Sequence, residues 1–223
     1  MKKILLAGAV ALFGLSNAQI AKGTTYLSGQ VGYSQKENNN TDKKVESFKI
    51  LPTVGYFVDT NLAVGLGVGY KNDNEKVTKT TGTNPLMVTE GKVTESAFVV
   101  APFVRKYWTL ADKLYIFGQL EVPMAFGQNK VEGTTTTTTT TAAGTTTTTS
   151  SASDKANFTS IGVNIKPGLD YFLNKNWTIE ATIGEFGYNT YKQNVDGAKR
   201  VNDYNFGLNL TSVTFGVKYV FSK

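Results

Sequence analysis

Between Ala97 and Gln128 the chain reads as two half-apolar runs joined by a short polar break, Thr109-Leu110-Ala111-Asp112-Lys113. In the second run Leu114, Ile116, Leu120, Val122, Met124 and Phe126 share one parity, while Tyr115, Gln119 and Glu121 hold the other. Successive strand residues face opposite sides, so this spacing predicts one wholly apolar face and one that carries charge. The first run repeats the pattern, with Phe98, Val100, Pro102 and Val104 set against Val99, Ala101, Phe103 and Arg105. A soluble sheet places its charges on the wet outer face, and many of them. An apolar outside around a mixed, charge-bearing inside is the pattern of a barrel strand set in lipid.

The same alternation recurs along the chain. Strands are expected over Thr24 to Lys36, Lys44 to Val58, Leu62 to Lys71, Asn157 to Leu173, Trp177 to Tyr191 and Asp203 to Phe221. In the third of these, Ala63, Gly65, Gly67 and Gly69 occupy one face, which predicts a close approach by bulky side chains of neighbouring strands. The last run changes phase, from even Tyr204, Phe206, Leu208 and Leu210 to odd Val213, Phe215, Val217, Tyr219 and Phe221. Either a β-bulge near Thr211-Ser212 or a break into two strands accounts for it. Pro52, Pro102, Pro123 and Pro167 fall inside expected strands, where a missing N–H interrupts the ladder, so bulges or local irregularity are expected there.

The connections alternate as well, long and polar after odd strands and a few residues after even ones. Short turns on the periplasmic side and long outer loops have this asymmetry. The fold predicted is all-β: an eight-stranded antiparallel up-and-down transmembrane β-barrel over residues 19–223. Both ends of the mature chain would lie on the periplasmic side. Thr134 to Thr149, with eight and then five consecutive threonines, has no apolar alternation and reads as a low-complexity, flexible outer loop.

Lys2 and Lys3, an apolar run from Ile4 to Leu15, and Ser16-Asn17-Ala18 make residues 1–18 a signal peptide with cleavage expected after Ala18. The chain has no cysteine, which excludes disulfides and thiolate chemistry, and no histidine, which excludes imidazole bases and histidine-held metals. No catalytic residue, cofactor or metal is therefore expected. Without Lys2 and Lys3 the formal charge of +6 becomes +4, too small and dispersed to suggest nucleic acid as a partner.

Parity sends Lys49, Arg105, Glu121, Lys166, Asp170, Glu180 and Lys218 into the lumen. Two uses follow: a salt-bridge network that plugs the barrel, or a narrow ion path. Eight strands leave an interior just wide enough for side chains to fill it, which favours the plug. Aromatic residues near the short turns and the C-terminus, Tyr56, Tyr107, Trp108, Tyr171, Trp177, Tyr219 and Phe221, are expected to form the interfacial girdle, with Phe57 and Phe172 beside them.

Four segments carry a family resemblance: Leu51-Pro52-Thr53-Val54-Gly55-Tyr56-Phe57, Ala101-Pro102-Phe103-Val104-Arg105-Lys106-Tyr107-Trp108, Lys166-Pro167-Gly168-Leu169-Asp170-Tyr171-Phe172 and Phe215-Gly216-Val217-Lys218-Tyr219-Val220-Phe221. On these the chain resembles the small outer-membrane β-barrel families of OmpA-transmembrane-like and porin-like type, especially those of the Bacteroidetes. The resemblance implies the Gram-negative outer membrane, outer-membrane lipid as surroundings, and a C-terminal strand read by the barrel-assembly machinery. It departs from the common ending in that Ser222 and Lys223 follow the last aromatic residue.

For function the sequence leaves two classes. One is a structural or surface-interaction barrel whose outer loops meet an extracellular ligand, and the other is a porin-like channel for ions or small solutes. Glu121 and Glu180 could be written as an acid/base pair, but no substrate cleft accompanies them. A secreted barrel for an apolar ligand would need an apolar inside.

Overall fold

The computed structural model describes residues 20–38, 40–207 and 213–221. The segment expected to be a signal peptide, and the bulge expected near Thr211-Ser212, lie outside the described residues.

Eleven strand segments follow in order: β1 (Thr25–Asn38), β2 (Lys43–Asp59), β3 (Leu62–Thr81), β4 (Leu86–Ala111), β5 (Leu114–Glu121), β6 (Met124–Thr141), β7 (Gly144–Phe172), β8 (Trp177–Ile183), β9 (Glu185–Gln193), β10 (Val201–Gly207) and β11 (Val213–Phe221). All neighbouring pairs run antiparallel, and β5 continues into β6 and β8 into β9, so that with β10 and β11 they form a ring of eight barrel strands. Pairing of β1 with β11, from Thr25 opposite Phe221 to Val31 opposite Phe215, closes it. Closure removes the free edge that an open sheet would present within lipid.

The wall has the predicted two faces. Leu27, Val31, Ile50, Val54, Leu66, Val68, Phe98, Leu120, Phe126, Ile161, Val163, Ile165, Val217 and their neighbours are exposed on the outside. For side chains of this kind, exposure around the whole circumference is costly in water and favourable in hydrocarbon. Inside, Gly65 lets the Phe103 ring lie against the backbone of β3, and a Cβ there would overlap that ring. This is the close approach that the glycine row predicts.

One end has tight turns. Asn61 and Lys113 adopt positive φ of 56° and 64°, with register shifts in the adjoining strands. Between β7 and β8 the side-chain oxygen of Asn174 accepts the backbone N–H groups of Asn176 and Trp177, both at 2.9 Å. At the other end the long connections are not loose. β3 and β4 stay paired from Leu62 opposite Lys106 to Thr81 opposite Met87, and β6 and β7 stay paired to Thr141 opposite Gly144. The flexible loop expected over Thr134 to Thr149 is thus corrected to an ordered hairpin. Its two strands are bonded to each other and β6 also to β4, and threonine suits an extended backbone even without an apolar face to bury. β7, at 29 residues, is ~95 Å long at ~3.3 Å per residue, far beyond the ~10 residues a crossing needs.

The prolines mark the expected irregularities. Pro123 lies between β5 and β6, and Pro102 sits where the ladder from β4 passes from β6 to β5. Pro52 falls where the β2–β3 ladder is interrupted, between Ile50 and Thr53. Pro167 faces a discontinuity that the sequence reading did not contain. Between the pairs Ile165–Phe186 and Gly168–Thr182, two residues of β7 oppose three on the facing chain. The expected uninterrupted strand from Trp177 to Tyr191 is therefore two segments with a bulge at Gly184, whose φ of +75° suits glycine.

Candidate functional site

The interior is built in layers along the barrel axis. Nearest the tight turns Tyr26, Phe57, Tyr107, Tyr115 and Phe117 pack together with Phe103, Ala63, Ile20 and Val220. Ring centroids stand 5.8 Å apart for Tyr26 and Phe57, 5.5 Å for Phe57 and Tyr107, and 5.7 Å for Tyr107 and Phe117, with tilted planes. Tyr107 is therefore not in the outer girdle, and Phe57 is likewise fully buried inside. The physical reason is parity: Tyr107 lies two residues from Arg105 on β4 and must share its face. Phe172 packs against this inner cluster too. Tyr56, Trp108, Tyr171, Trp177 and Phe221 are exposed outside, and the Tyr219 ring lies 5.0 Å from Trp177 and 4.9 Å from Phe221.

On the aromatic layer rests a charged one. Arg105 Nη1 lies 2.6 Å from Glu180 Oε2, its Nε donates to Gln119 Oε1 at 2.7 Å, and Nη1 also donates to Tyr107 Oη at 3.1 Å. Its guanidinium stacks over Phe117, 4.2 Å from the ring centroid. Lys218 Nζ pairs with Asp170 Oδ2 and donates to Tyr107 Oη at 3.2 Å, so one phenol joins two ion pairs. Gln30 Nε2 donates to the second oxygen of Glu180 at 2.9 Å. On the other branch Gln119 donates to Glu121 at 2.6 Å, and Lys166 Nζ lies 2.6 Å from Glu121 and 3.5 Å from Glu185.

Six of the seven residues expected in the lumen are brought into this one chain of bonds, three cations and three anions. Buried charges demand such pairing, because an unpartnered one costs several kcal/mol. Asp170, Glu180 and Lys218 are 0% exposed and Arg105 is 1% exposed, so these four side chains are withdrawn from the solvent-accessible surface. Lys49 is placed elsewhere. It is half-buried, lines a cavity above the network, and has no carboxylate within 4 Å among the described residues.

That cavity, of about 370 Å³, is lined by Gln30, Ser47, Lys49, Lys166, Thr182, Glu185 and Thr214 among others. It lies between β1, β2, β8 and β11, on the side of the network away from the tight turns. Beside it a second apolar cluster of Leu51, Ala97, Val99, Ala101, Ala125 and Phe158 fills the interior along β4 and β6.

The sequence reading missed Gln30, Gln119, Tyr107 and Glu185 as members of the network. The first three share parity with the charges and carry polar atoms, a signal that was present but not used. Glu185 had no such signal, because the bulge at Gly184 changes the parity just before it.

A closed ring of strands with an apolar exterior, a paired charge layer and tight turns at one end defines a transmembrane β-barrel. The family described as outer membrane protein beta-barrel domain matches residues 5–221, and the chain belongs to it. It is a protein of the outer membrane. Among solved structures it is similar to OprG from Pseudomonas aeruginosa, with 13% identity over 91% of this chain and 98% of that one and a TM-score of 0.44. It is also similar to Ail of Yersinia pestis in complex with the heparin analogue sucrose octasulfate, with 15% identity over 90% and 99% and a TM-score of 0.37. Neisserial surface protein A shows 13% identity over 91% and 99%, with a TM-score of 0.35. Comparison with curated proteins gave no match.

Proposed function

We propose that this chain is a non-enzymatic outer-membrane barrel whose lumen is closed and whose work is done at its outer surface. The observation that carries the reading is the continuous bonded layer Asp170–Lys218–Tyr107–Arg105–Glu180, fully buried and seated on packed aromatic rings. Opening a path for a hydrated ion would require separating ion pairs that have no water to replace them, at a cost of several kcal/mol for each charge. What projects from the barrel is ordered and polar, which suits contact with an extracellular partner. On this reading residues 1–18 direct export and are removed after Ala18. The assembly machinery takes the chain by β11, the strand that pairs with β1 to close the ring.

A second reading is a narrow channel, favoured by the cavity of about 370 Å³ above the network and by the free ammonium of Lys49 at its wall. Conductance of the refolded chain in a planar bilayer separates the two. Heat-modifiable migration on a gel establishes first that the barrel has formed. The closed-lumen reading expects no discrete steps from folded protein. Reproducible steps that change with Arg105→Met would overturn it in favour of the channel.

A further inference from the structure

β7 has two neighbours through the barrel, but from Gly144 to Ala156 it has only one; at Asn157 the carbonyl already accepts the backbone N–H of Asn194 at 2.7 Å. On that stretch β6 pairs with it residue by residue, from Thr141 opposite Gly144 to Asn129 opposite Ala156. On the other side β9 begins only at Phe158, opposite Gln193, and no other described strand takes its place. A run of about 43 Å at ~3.3 Å per residue therefore presents unpaired backbone N–H and C=O groups along one side. Exposed edges of this kind are ordinarily guarded by proline, bulges, lysines or shortness. This one has no proline, keeps one register throughout, and carries only the adjacent, opposite charges of Asp154 and Lys155.

The chain itself shows what such an edge accepts. Thr145, Thr147, Thr149 and Ser151 of β7 meet Thr140, Thr138, Thr136 and Thr134 of β6, with hydroxyl oxygens 3.2, 3.3, 3.4 and 3.3 Å apart. A threonine strand here already pairs antiparallel with a strand of its own composition. The same edge from a second copy offers an equivalent surface.

Direction then fixes where that copy must be. Two copies in one membrane point their β7 strands the same way, so their edges could meet only in parallel. In-register parallel pairing sets Asp154 beside Asp154 and Lys155 beside Lys155. It also drives the partner strand down into the space that β9 fills from Phe158 onward. Copies in two apposed membranes point opposite ways, and their edges meet antiparallel about a two-fold axis. Centred on Ser150, that pairing puts Asp154 opposite Thr146 and Lys155 opposite Thr145, with no like charges in contact. Each edge then gains the backbone bonds it lacks, by strand addition.

We propose that the free β7 edge, Gly144 to Ala156, binds the same edge of a second copy in a facing membrane, making the protein a homotypic contact between outer membranes. This rests on the surface-acting reading above but names its partner.

The test uses the whole refolded chain in two populations of lipid vesicles carrying different dyes, with clustering read by fluorescence cross-correlation. Protein-bearing vesicles should cluster with each other and not with protein-free ones. Thr148→Lys, Ser150→Lys and Ala152→Lys together set like charges against one another, and clustering should fall to the protein-free level. The matching triple change to Glu should do the same. Mixing Lys-variant with Glu-variant vesicles should restore it, an outcome that misfolding cannot produce. Absence of clustering by the unaltered protein, binding to protein-free vesicles, or failure of the mixed pair to recover would overturn the proposal. Conductance recorded on the same preparation keeps the two readings apart, since a conducting barrel that clusters refutes only the closed lumen. A silent barrel that never clusters refutes only the homotypic contact.

Discussion

Arg105 on β4 and Glu180 on β8 form an ion pair across the lumen, Nη1 to Oε2 at 2.6 Å, with both side chains withdrawn from water. Their strands are separated in the ring by the β5–β6 strand and by β7, so the pair is a strut rather than a contact between neighbours. Removing one end leaves the other charge buried without its ion-pair partner. Arg105→Met should destabilise the folded barrel by about 3–5 kcal/mol, the usual cost of orphaning a buried charge. The double change Arg105→Met with Glu180→Leu should cost clearly less than the sum of the two single changes. Urea unfolding in lipid vesicles, followed by tryptophan fluorescence, measures all three, and strict additivity would show that the strut carries no coupling.

Tyr107 Oη receives hydrogen bonds from Arg105 at 3.1 Å and from Lys218 at 3.2 Å. Tyr107→Phe keeps the ring stacked between Phe57 and Phe117 but removes the oxygen common to both ion pairs. A loss of about 1.5–3 kcal/mol is expected, the range for hydrogen bonds to charged groups. In the same unfolding assay, a change within error would mean that the ion pairs hold without their link.

Lys49 and Lys166 both line the cavity, yet only Lys166 is paired. Lys166→Gln should lower stability measurably because Glu121, 2% exposed, loses its cation. Lys49→Gln should cost clearly less, since no carboxylate among the described residues forms an ion pair with it. The ordering of the two unfolding midpoints decides the matter, and a larger loss at Lys49 would refute this account of the network.

The barrel was legible in the sequence because a two-faced strand in lipid leaves a strong period-two signal, and because closure is the only way such strands can all be paired. Leu114 to Glu121 shows it at its clearest, with Leu114, Ile116 and Leu120 outside and Tyr115, Phe117, Gln119 and Glu121 inside. Parity likewise delivered Arg105, Glu121, Lys166, Asp170, Glu180 and Lys218 to one interior. It failed where parity itself shifts, at Gly184, which hid Glu185. It was also overridden at Tyr107 when residue type was given more weight than phase. The threonine hairpin was illegible for a different reason. Its order comes from backbone pairing to β4 and β7, which leaves no pattern of apolar side chains to read.

The hairpin carries the last prediction. If Thr134 to Thr141 and Thr145 to Ser151 are paired as strands, with Thr89 and its neighbours on β4 extending the sheet from Leu86 opposite Thr138, their inner amides are bonded. Amides of β6 here are flanked by strands on both sides, whereas those of β7 alternate between β6 and the free edge. Hydrogen exchange of the folded protein in vesicles should therefore show protection throughout Thr134 to Thr138 and an alternating pattern over Thr145 to Ser151. A flexible segment would exchange at the rate of an unstructured peptide at every one of these positions. Deleting Thr134 to Ser151 as a unit should leave heat-modifiable migration intact, because the bonds that close the ring, from Thr25 opposite Phe221 onward, lie in other strands. Loss of folding on that deletion would mean that the projecting sheet is needed to assemble the barrel beneath it.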